Sequence, residues 1–449
     1  MSHTFMKIKH PKTLEELKGC IESETNVLYA SAQTSTVIPW SRLEELAPSL
    51  FENGKIPTIV SLQSLPKKME MNPNHQIYIE GPISWREADQ FARSHGRRMM
   101  TMPTEDLASV LAGLATSCTG EHAFGLGTTR DQVSELTFLN KQGEKCYLDA
   151  SKPIETALPK NVGLGPLKAY QNLYRKKYKN FKNAPFQRLE KETDLLVGSE
   201  GKVGPIIAAK LETIPNEAVV HLFFPLKTPW TQDFKNHFKY FQWGQQFRGQ
   251  ILAFELIDQL SLKTLETNGP ENFGLNSGWD YLFFEILETS LDVVLQGLMD
   301  FIKVEDIDLK EDEIYVMDSQ KFHLLRKTLP RVVAEMVSSR KIVKKGTDVQ
   351  VASELFAKLI ERYQHFYQSG VSGILFGHFG DAHLHFNFFP KNVAEQLIVD
   401  NLLENFYKEL PSWGAVSPFA EHGVGLIKKK YLEYYQEEFE LFKKLKFCN

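Results

Sequence analysis

Gly377-His378-Phe379-Gly380-Asp381-Ala382-His383-Leu384-His385-Phe386-Asn387 is the stretch on which the reading of this chain turns. Its second half alternates. His383, His385 and Asn387 fall on one face of a strand, and Leu384, Phe386 and Phe388 on the other. Polar groups on the inner face of an apolar strand cost free energy unless they are satisfied or used. Gly380-Asp381 is turn chemistry, and a tight turn there brings His378 back beside His383 and His385. Further along, Glu421-His422-Gly423-Val424-Gly425 offers a carboxylate and one more imidazole. Two imidazoles and a carboxylate form a metal-ligand set, and a further His beside them is a candidate base. A single strand His is ordinarily a satisfied core residue. Four His and a Glu in two glycine-bearing, apolar-flanked segments weigh against that bland reading.

The chain has 449 residues, enough for two domains and a large core. Hydrophobic content is 42% and charged content 24%, which is ordinary for a globular protein. A net charge of −4 argues against nucleic-acid binding by the protein as a whole. Cys20, Cys118, Cys146 and Cys448 are scattered without metal or redox spacing and fit a reducing compartment. Met1 to Lys7 contains no apolar signal core, and no run approaches the roughly 18 apolar residues of a membrane span. The expected location is the cytoplasm, or the inner face of a membrane as a peripheral protein.

Outward from the histidine strand, the order of elements predicts an α+β architecture. Thr13 and Glu16 form a capping box for an early helix. Asn26–Ala30 reads as a buried strand that opens into the polar loop Ser31-Ala32-Gln33-Thr34-Ser35-Thr36. Backbone N–H groups and hydroxyls in such a loop suit a phosphate, although most loops of this kind are only loops. Strands are expected at 57–62, 75–82 and 134–139, and helices at 85–95 and 105–113. Lys168–Lys182 is basic and aromatic, and reads as a helix with solvated charges and inward-facing rings. Asp194–Ile207 carries three glycines around Ser199 and Glu200, a backbone suited to lie against a flat ligand. From Val219 a second texture begins, with strands at 219–225, 251–256 and 279–285. Helices follow at 234–249, 291–302, 322–338, 351–369, 393–410 and 428–446.

GHFGDAHLHFN followed by AEHGVGLIKKKYL resembles the C-terminal signature of the FAD-linked oxidases. These are the vanillyl-alcohol-oxidase-type flavoproteins that include D-lactate and D-2-hydroxyglutarate dehydrogenases, glycolate oxidase subunits and alkylglycerone-phosphate synthase. GTTRDQV (127–133) and GSEG (198–201) resemble further segments of that family. The resemblance implies a two-lobed PCMH-type FAD-binding domain over 1–216. A cap domain over 217–449 would follow, an antiparallel sheet with helices on one face, whose C-terminal segment returns to the active site. It implies non-covalently bound FAD, held by Ser31, Ala32, Gln33, Thr34 and Ser35, by Gly113, Gly120, Gly127 and Thr128, and by Gly198, Ser199, Glu200, Gly201, Gly204 and Ile206. The family's first loop is normally Gly-rich, whereas Ser31–Thr36 has no glycine.

The implied reaction is oxidation of a 2-hydroxy acid such as D-lactate, D-2-hydroxyglutarate or glycolate. FAD would accept the hydride and His422 would act as base. His378, His385 and Glu421 would hold a divalent metal, zinc or manganese. Arg326 would clamp the substrate carboxylate, with Asn387 near substrate and Lys345 (or Lys344) assisting. A quinone, a cytochrome or an electron-transfer flavoprotein would reoxidise the flavin, and a homodimer is compatible with the family. Two alternatives come from the same resemblance: a non-redox flavoenzyme like alkylglycerone-phosphate synthase, and a flavin-free metal-binding relative.

Overall fold

A computed structural model describes residues 6–51, 54–158, 163–269, 273–343 and 345–445. Lys344, Lys446 and Cys448 lie outside the described residues. Three sheets organise the chain. β1 (Ile8–Lys9), β2 (Val27–Ala30) and β3 (Thr58–Ser61) make a small parallel sheet in the order β1-β3-β2. Helix Leu14–Ser23 lies between its first two strands, with the Thr13 hydroxyl accepting from the Glu16 N–H at 3.1 Å and the Glu16 carboxylate from the Lys12 N–H at 2.7 Å. Thr13 caps the helix as expected, but the return bond from Glu16 goes to Lys12, one residue before the N-cap, so the box expected between Thr13 and Glu16 is only half formed.

The second sheet is antiparallel. It orders β4 (Lys68–Met71), β5 (Gln76–Glu80), β9 (Ile206–Pro215), β7 (Val133–Leu139) and β8 (Lys145–Asp149), with β6 (Arg97–Met99) also on β9. Its apolar face meets helix Trp85–Ser94, helix Val110–Thr116 and the aromatic face of helix Leu164–Tyr178. Tyr170, Tyr174 and Tyr178 are buried there, as the inward-ring reading expects. The predicted helix at 105–113 starts later, at Val110. Ser109 is held in a bridge to Ser84, and Asp106 pairs with Arg86 at 2.7 Å, so the preceding turn is fixed in another shape.

The third sheet contains nine strands: β10 (Val219–Leu226), β11 (Ile251–Ile257), β12 (Asp280–Leu287), β13 (Tyr315–Met317), β14 (Lys345–Gly346), β15 (Val349–Val351), β16 (Gly373–His378), β17 (His383–Phe388) and β18 (Val416–Ser417). The order is β13-β10-β12-β11-β16-β17-β15-β18, and β14 also pairs with β17. Every pairing is antiparallel. The expectation of helices on one face needs correction. Phe224 and Phe284 pack toward helices 235–244, 291–304 and 356–368, whereas their neighbours Phe223 and Phe283 pack toward helices 259–268 and 319–339. Both faces are covered, and the central strands are accordingly mostly apolar on both sides. The helix predicted at 351–369 begins at Phe356, because Val349–Val351 is drawn into the sheet by β17 and β18.

The C-terminal segment crosses back. Helix Gln436–Lys443 lies on helix Leu164–Tyr178, with the Tyr178 hydroxyl and the Lys177 ammonium donating to Glu438 at 2.7 and 3.0 Å. This return carries Glu421 and His422 into the seam between the second and third sheets.

Candidate functional site

β16 and β17 form a hairpin whose turn, Phe379–Asp381, closes through Ala382 in the left-handed region at φ 49°. The register places His378 opposite His383 and Phe376 opposite His385. The Gly380-Asp381 turn therefore gathers the three histidines as the sequence predicts. Glu421 arrives from the returning segment. Its Oε2 lies 2.8 Å from His378 Nε2 and 3.3 Å from His385 Nε2. Ligand atoms about 2.0–2.1 Å from a tetrahedral zinc are themselves roughly 3.3 Å apart, so this triangle already has nearly the dimensions of a ligand set.

The outer contacts fix the rings. His378 Nδ1 meets Glu255 Oε1 at 2.7 Å, and His385 Nδ1 meets the Thr347 carbonyl at 3.2 Å. His383 Nε2 meets Asp348 Oδ1 at 3.1 Å. Histidine ligands of metals hold their second nitrogen in this way, on a carboxylate or carbonyl. The electrostatics agree with a site built for positive charge. Burial favours the neutral form of Glu421, but His378 and His385 hold its carboxyl well below the usual range. Burial likewise works against a charged His378, but Glu255 and Glu421 push it up to about 9. Burial and the adjoining His385 keep His383 neutral.

Asp348 is the hub beneath this layer. Its oxygens accept from the Glu421 and His422 N–H groups, both at 3.1 Å, and from Lys428 Nζ at 2.5 Å. Burial opposes its charge, and Lys428, His422 and His383 hold its carboxyl well below the ordinary value. The backbone of the two residues that supply the carboxylate and the candidate base thus hangs from one buried anion. The His422 ring lies 5.2 Å from that of His385, centroid to centroid.

A cavity of about 1430 Å³ runs through the seam. Its walls include Ser31–Ser35, Gly113, Glu200, Gly201, Gly204 and Ile206, together with Arg326, His378, His385, Glu421 and His422. It exceeds the roughly 300–1,000 Å³ of ordinary small-molecule pockets, a size suited to a dinucleotide. Among the described residues no protein acceptor bonds the N–H groups of Ala32 to Ser35, and Gln33 sits at φ 56°. A glycine-free loop can therefore still present N–H groups to a diphosphate. The residues present fit the FAD that the family resemblance implies.

Several predicted residues stand elsewhere. Gly120, Gly127, Thr128, Gly198 and Ser199 are absent from the cavity wall. Gly120 is required because a Cβ there would lie 1.9 Å from the Met102 carbonyl oxygen, and Thr128 is tied to Asp131 at 2.8 and 2.9 Å. Gly198 and Ser199 shape the turn that delivers Glu200, with the Gly198 N–H on the Leu114 carbonyl at 3.1 Å. The segment GTTRDQV is a brace, its Arg130 paired bidentately with Asp194 at 2.6 and 2.8 Å. Helix Val110–Thr116 provides the wall instead. Asn387 is buried, donates to the His385 carbonyl at 3.3 Å and does not reach the cavity. Lys345 turns away to Asp400.

Arg326 reaches the cavity already engaged. It pairs with Glu121, stands 3.8 Å from Glu255 and donates to Thr104 at 2.9 Å. Its charge is thereby taken up first by Glu121 and then by Glu255, which in turn holds His378, so as placed it is not a free carboxylate clamp. Glu200, too, spends its carboxylate on protein. Its Oε1 accepts from the N–H groups of Val424 and Gly425 at 2.6 and 2.9 Å. Sequence reasoning missed Glu255, Glu285 and Asp348. The signal was there, since each is a lone carboxylate within or beside an apolar strand, the same anomaly that flagged the histidines.

Residues 233–448 match the family described as FAD linked oxidases, C-terminal domain. Mitochondrial D-lactate dehydrogenase (cytochrome) of Kluyveromyces lactis is 23% identical over 387 residues, which cover 82% of this chain and 59% of that protein. This chain thus spans less than two thirds of that relative's length. D-2-hydroxyglutarate dehydrogenase of Xanthomonas citri pv. viticola is 23% identical over 455 residues, covering 95% of this chain and 82% of that protein. A solved structure of alkyldihydroxyacetonephosphate synthase superposes with a TM-score of 0.58 at 12% identity, covering 98% of this chain and 75% of that one. At that identity the likeness carries the fold.

Proposed function

We propose that this chain, whose residues 233–448 match the C-terminal domain of the FAD linked oxidases, is a dehydrogenase of a D-2-hydroxy acid, with non-covalent FAD in the seam cavity. The observation that carries this reading is the His378, His385 and Glu421 triangle, buried in the wall of a dinucleotide-sized cavity with His422 beside it. The D-lactate and D-2-hydroxyglutarate relatives support the substrate class.

FAD bound there supplies the acceptor for the α-hydride. His378, His385 and Glu421 would hold a divalent ion, which would supply Lewis acidity toward the substrate hydroxyl and carboxylate. The protein's own work is positional. Asp348 fixes the backbone of Glu421 and His422, so the imidazole that takes the hydroxyl proton has a set origin. Glu255 and the Thr347 carbonyl hold the outer nitrogens of His378 and His385 and leave their Nε2 atoms directed at Glu421, where they would serve as ligands. Arg326 steadies Glu255. Ser31–Ser35, Gly113, Gly201, Gly204 and Ile206 line the flavin's share of the cavity. The test is His422→Ala. It should retain FAD and its yellow colour while reduction by the hydroxy acid falls by about 10²–10⁴-fold. Reduction at the wild-type rate would mean that another group is the base.

A further inference from the structure

The histidine that this reading leaves without a task is His383. Its side chain is fully buried, at 0% exposure. Nε2 is engaged by Asp348 Oδ1 at 3.1 Å, and Nδ1 is buried with no partner among the described residues. A buried ring nitrogen without a partner is costly unless something binds it. One ring nitrogen of His383 also belongs to the ligand cluster. With those of His378 and His385 and an oxygen of Glu421 it forms a set in which all four atoms lie within 4.8 Å of one another. The His383 ring is 4.6 Å from that of His385 and 5.2 Å from that of His378, centroid to centroid.

We propose that His383 is a fourth protein ligand of the ion, bound through Nδ1 and oriented by Asp348. The proposal rests on the reading that this site holds a metal, and it adds a ligand to that site. The tautomer follows from the contacts. An Nε2–H donated to the Asp348 carboxylate leaves the Nδ1 lone pair free. His378 and His385 show the same division of labour, with the outer nitrogen on an oxygen and the inner one directed at Glu421. Three imidazoles, each anchored on an oxygen from a different partner, make one consistent ligand shell.

The added ligand changes which ions suit the site. Three imidazoles and a carboxylate move the preference from manganese, which favours oxygen ligands, toward zinc, iron or cobalt. Four protein ligands close a tetrahedral site. An ion that also takes the hydroxyl and carboxylate of a hydroxy acid must then expand to five or six positions. Asp348 acquires a second duty, since the anion that sets the backbone of His422 also sets a ligand ring.

X-ray absorption of the zinc-loaded, FAD-bound wild-type protein counts imidazoles directly, and three are expected. His383→Asn keeps a polar group beside Asp348. It should hold FAD normally while binding cobalt(II) at least about 10-fold more weakly, with altered visible bands. Two imidazoles around the wild-type ion, or unchanged cobalt affinity and bands in His383→Asn, would overturn the proposal and leave the three-ligand site standing. A wild-type protein that takes up FAD but no zinc or cobalt would remove the metal reading and this ligand with it. If His383→Asn does not fold, the wild-type absorption count decides alone.

Discussion

Glu200 ties the glycine-rich turn of the second sheet to the loop that carries the candidate base, and removing its carboxylate should loosen that loop selectively. Oε1 accepts from the Val424 N–H at 2.6 Å and the Gly425 N–H at 2.9 Å. Gly423, between these amides and His422, has φ +73°, and a Cβ there would stand 2.6 Å from the same oxygen. Hydrogen bonds to a charged acceptor are worth about 1.5–3 kcal/mol each. Two bonds to one partly exposed oxygen share that acceptor and do not add in full, so Glu200→Ala should cost the loop roughly 2–4 kcal/mol. At about 1.36 kcal/mol per tenfold, that is roughly 30- to 1,000-fold faster amide exchange at Val424 and Gly425. Hydrogen–deuterium exchange read on a peptide spanning 420–428 measures it, because local opening free energies appear there without global unfolding. Glu200→Gln, which keeps an acceptor and loses the charge, should fall between the two. The flavin should stay bound in Glu200→Ala while its reduction by substrate slows. Unchanged exchange in that peptide would refute the assignment of Glu200 as the brace of the His422 loop.

Two buried carboxylates and two glycines give further expected outcomes. Burial and the neighbouring Asp280 raise the Asp258 carboxyl from 3.8 to about 7. An acid with a raised pKa loses stability as pH climbs from its ordinary value to its folded one, so Asp258→Asn should raise the unfolding free energy measured in urea at pH 8, by on the order of a few kcal/mol, and leave it unchanged near pH 4. The cluster of Glu285 with His122 at 2.9 Å, His221 at 3.3 Å and Arg98 at 3.5 Å joins the second and third sheets. Burial opposes the charge on both partners. Even so, His122 and His221 hold Glu285 well below 4.5, and Glu285 raises His122 above 6.5. The Glu285 share is lost as pH falls below that ordinary value and the His122 share as pH rises above its own, so the destabilisation of Glu285→Gln in urea titrations should peak between about pH 4.5 and 6.5. Gly204→Ala should destabilise by several kcal/mol in thermal melts, because a Cβ there would sit 2.0 Å from the Leu139 carbonyl oxygen at φ +150°. Gly96→Ala, at φ +70° with nothing within 4 Å, should cost only about 1–2 kcal/mol.

The histidine strand was legible because alternation and a turn signal are local. The period-2 pattern of 383–388 set which residues share a face, and Gly380-Asp381 set the hairpin. Capping was legible for the same reason at Thr13 and Ser84, whose partners lie three residues away. What escaped was set by distant partners. Nothing near Asp348 in the chain announces that Lys428 and the amides of Glu421 and His422 will converge on it. Arg326 has the chemistry of a carboxylate clamp, and Glu121 and Glu255 from two other elements take that chemistry up. Gly120 is needed for close approach to the Met102 carbonyl, and Gly127 and Gly198 for their positive φ of 85° and 78°, so each serves the protein's own backbone. Helices on both faces of the third sheet were foreshadowed by its strands ILAFELI and YLFFEIL, apolar at both alternations but for one Glu each.

The central claim is a flavin in the seam, facing the imidazole cluster and reducible by a hydroxy acid. The visible spectrum of the purified protein, reconstituted with FAD and titrated without oxygen against D- and L-2-hydroxy acids, tests it most directly. The account predicts a yellow protein whose flavin bands bleach with a D-2-hydroxy acid and whose flavin is released on denaturation. A colourless protein that takes up no FAD, or a bound flavin that no hydroxy acid reduces, would contradict it.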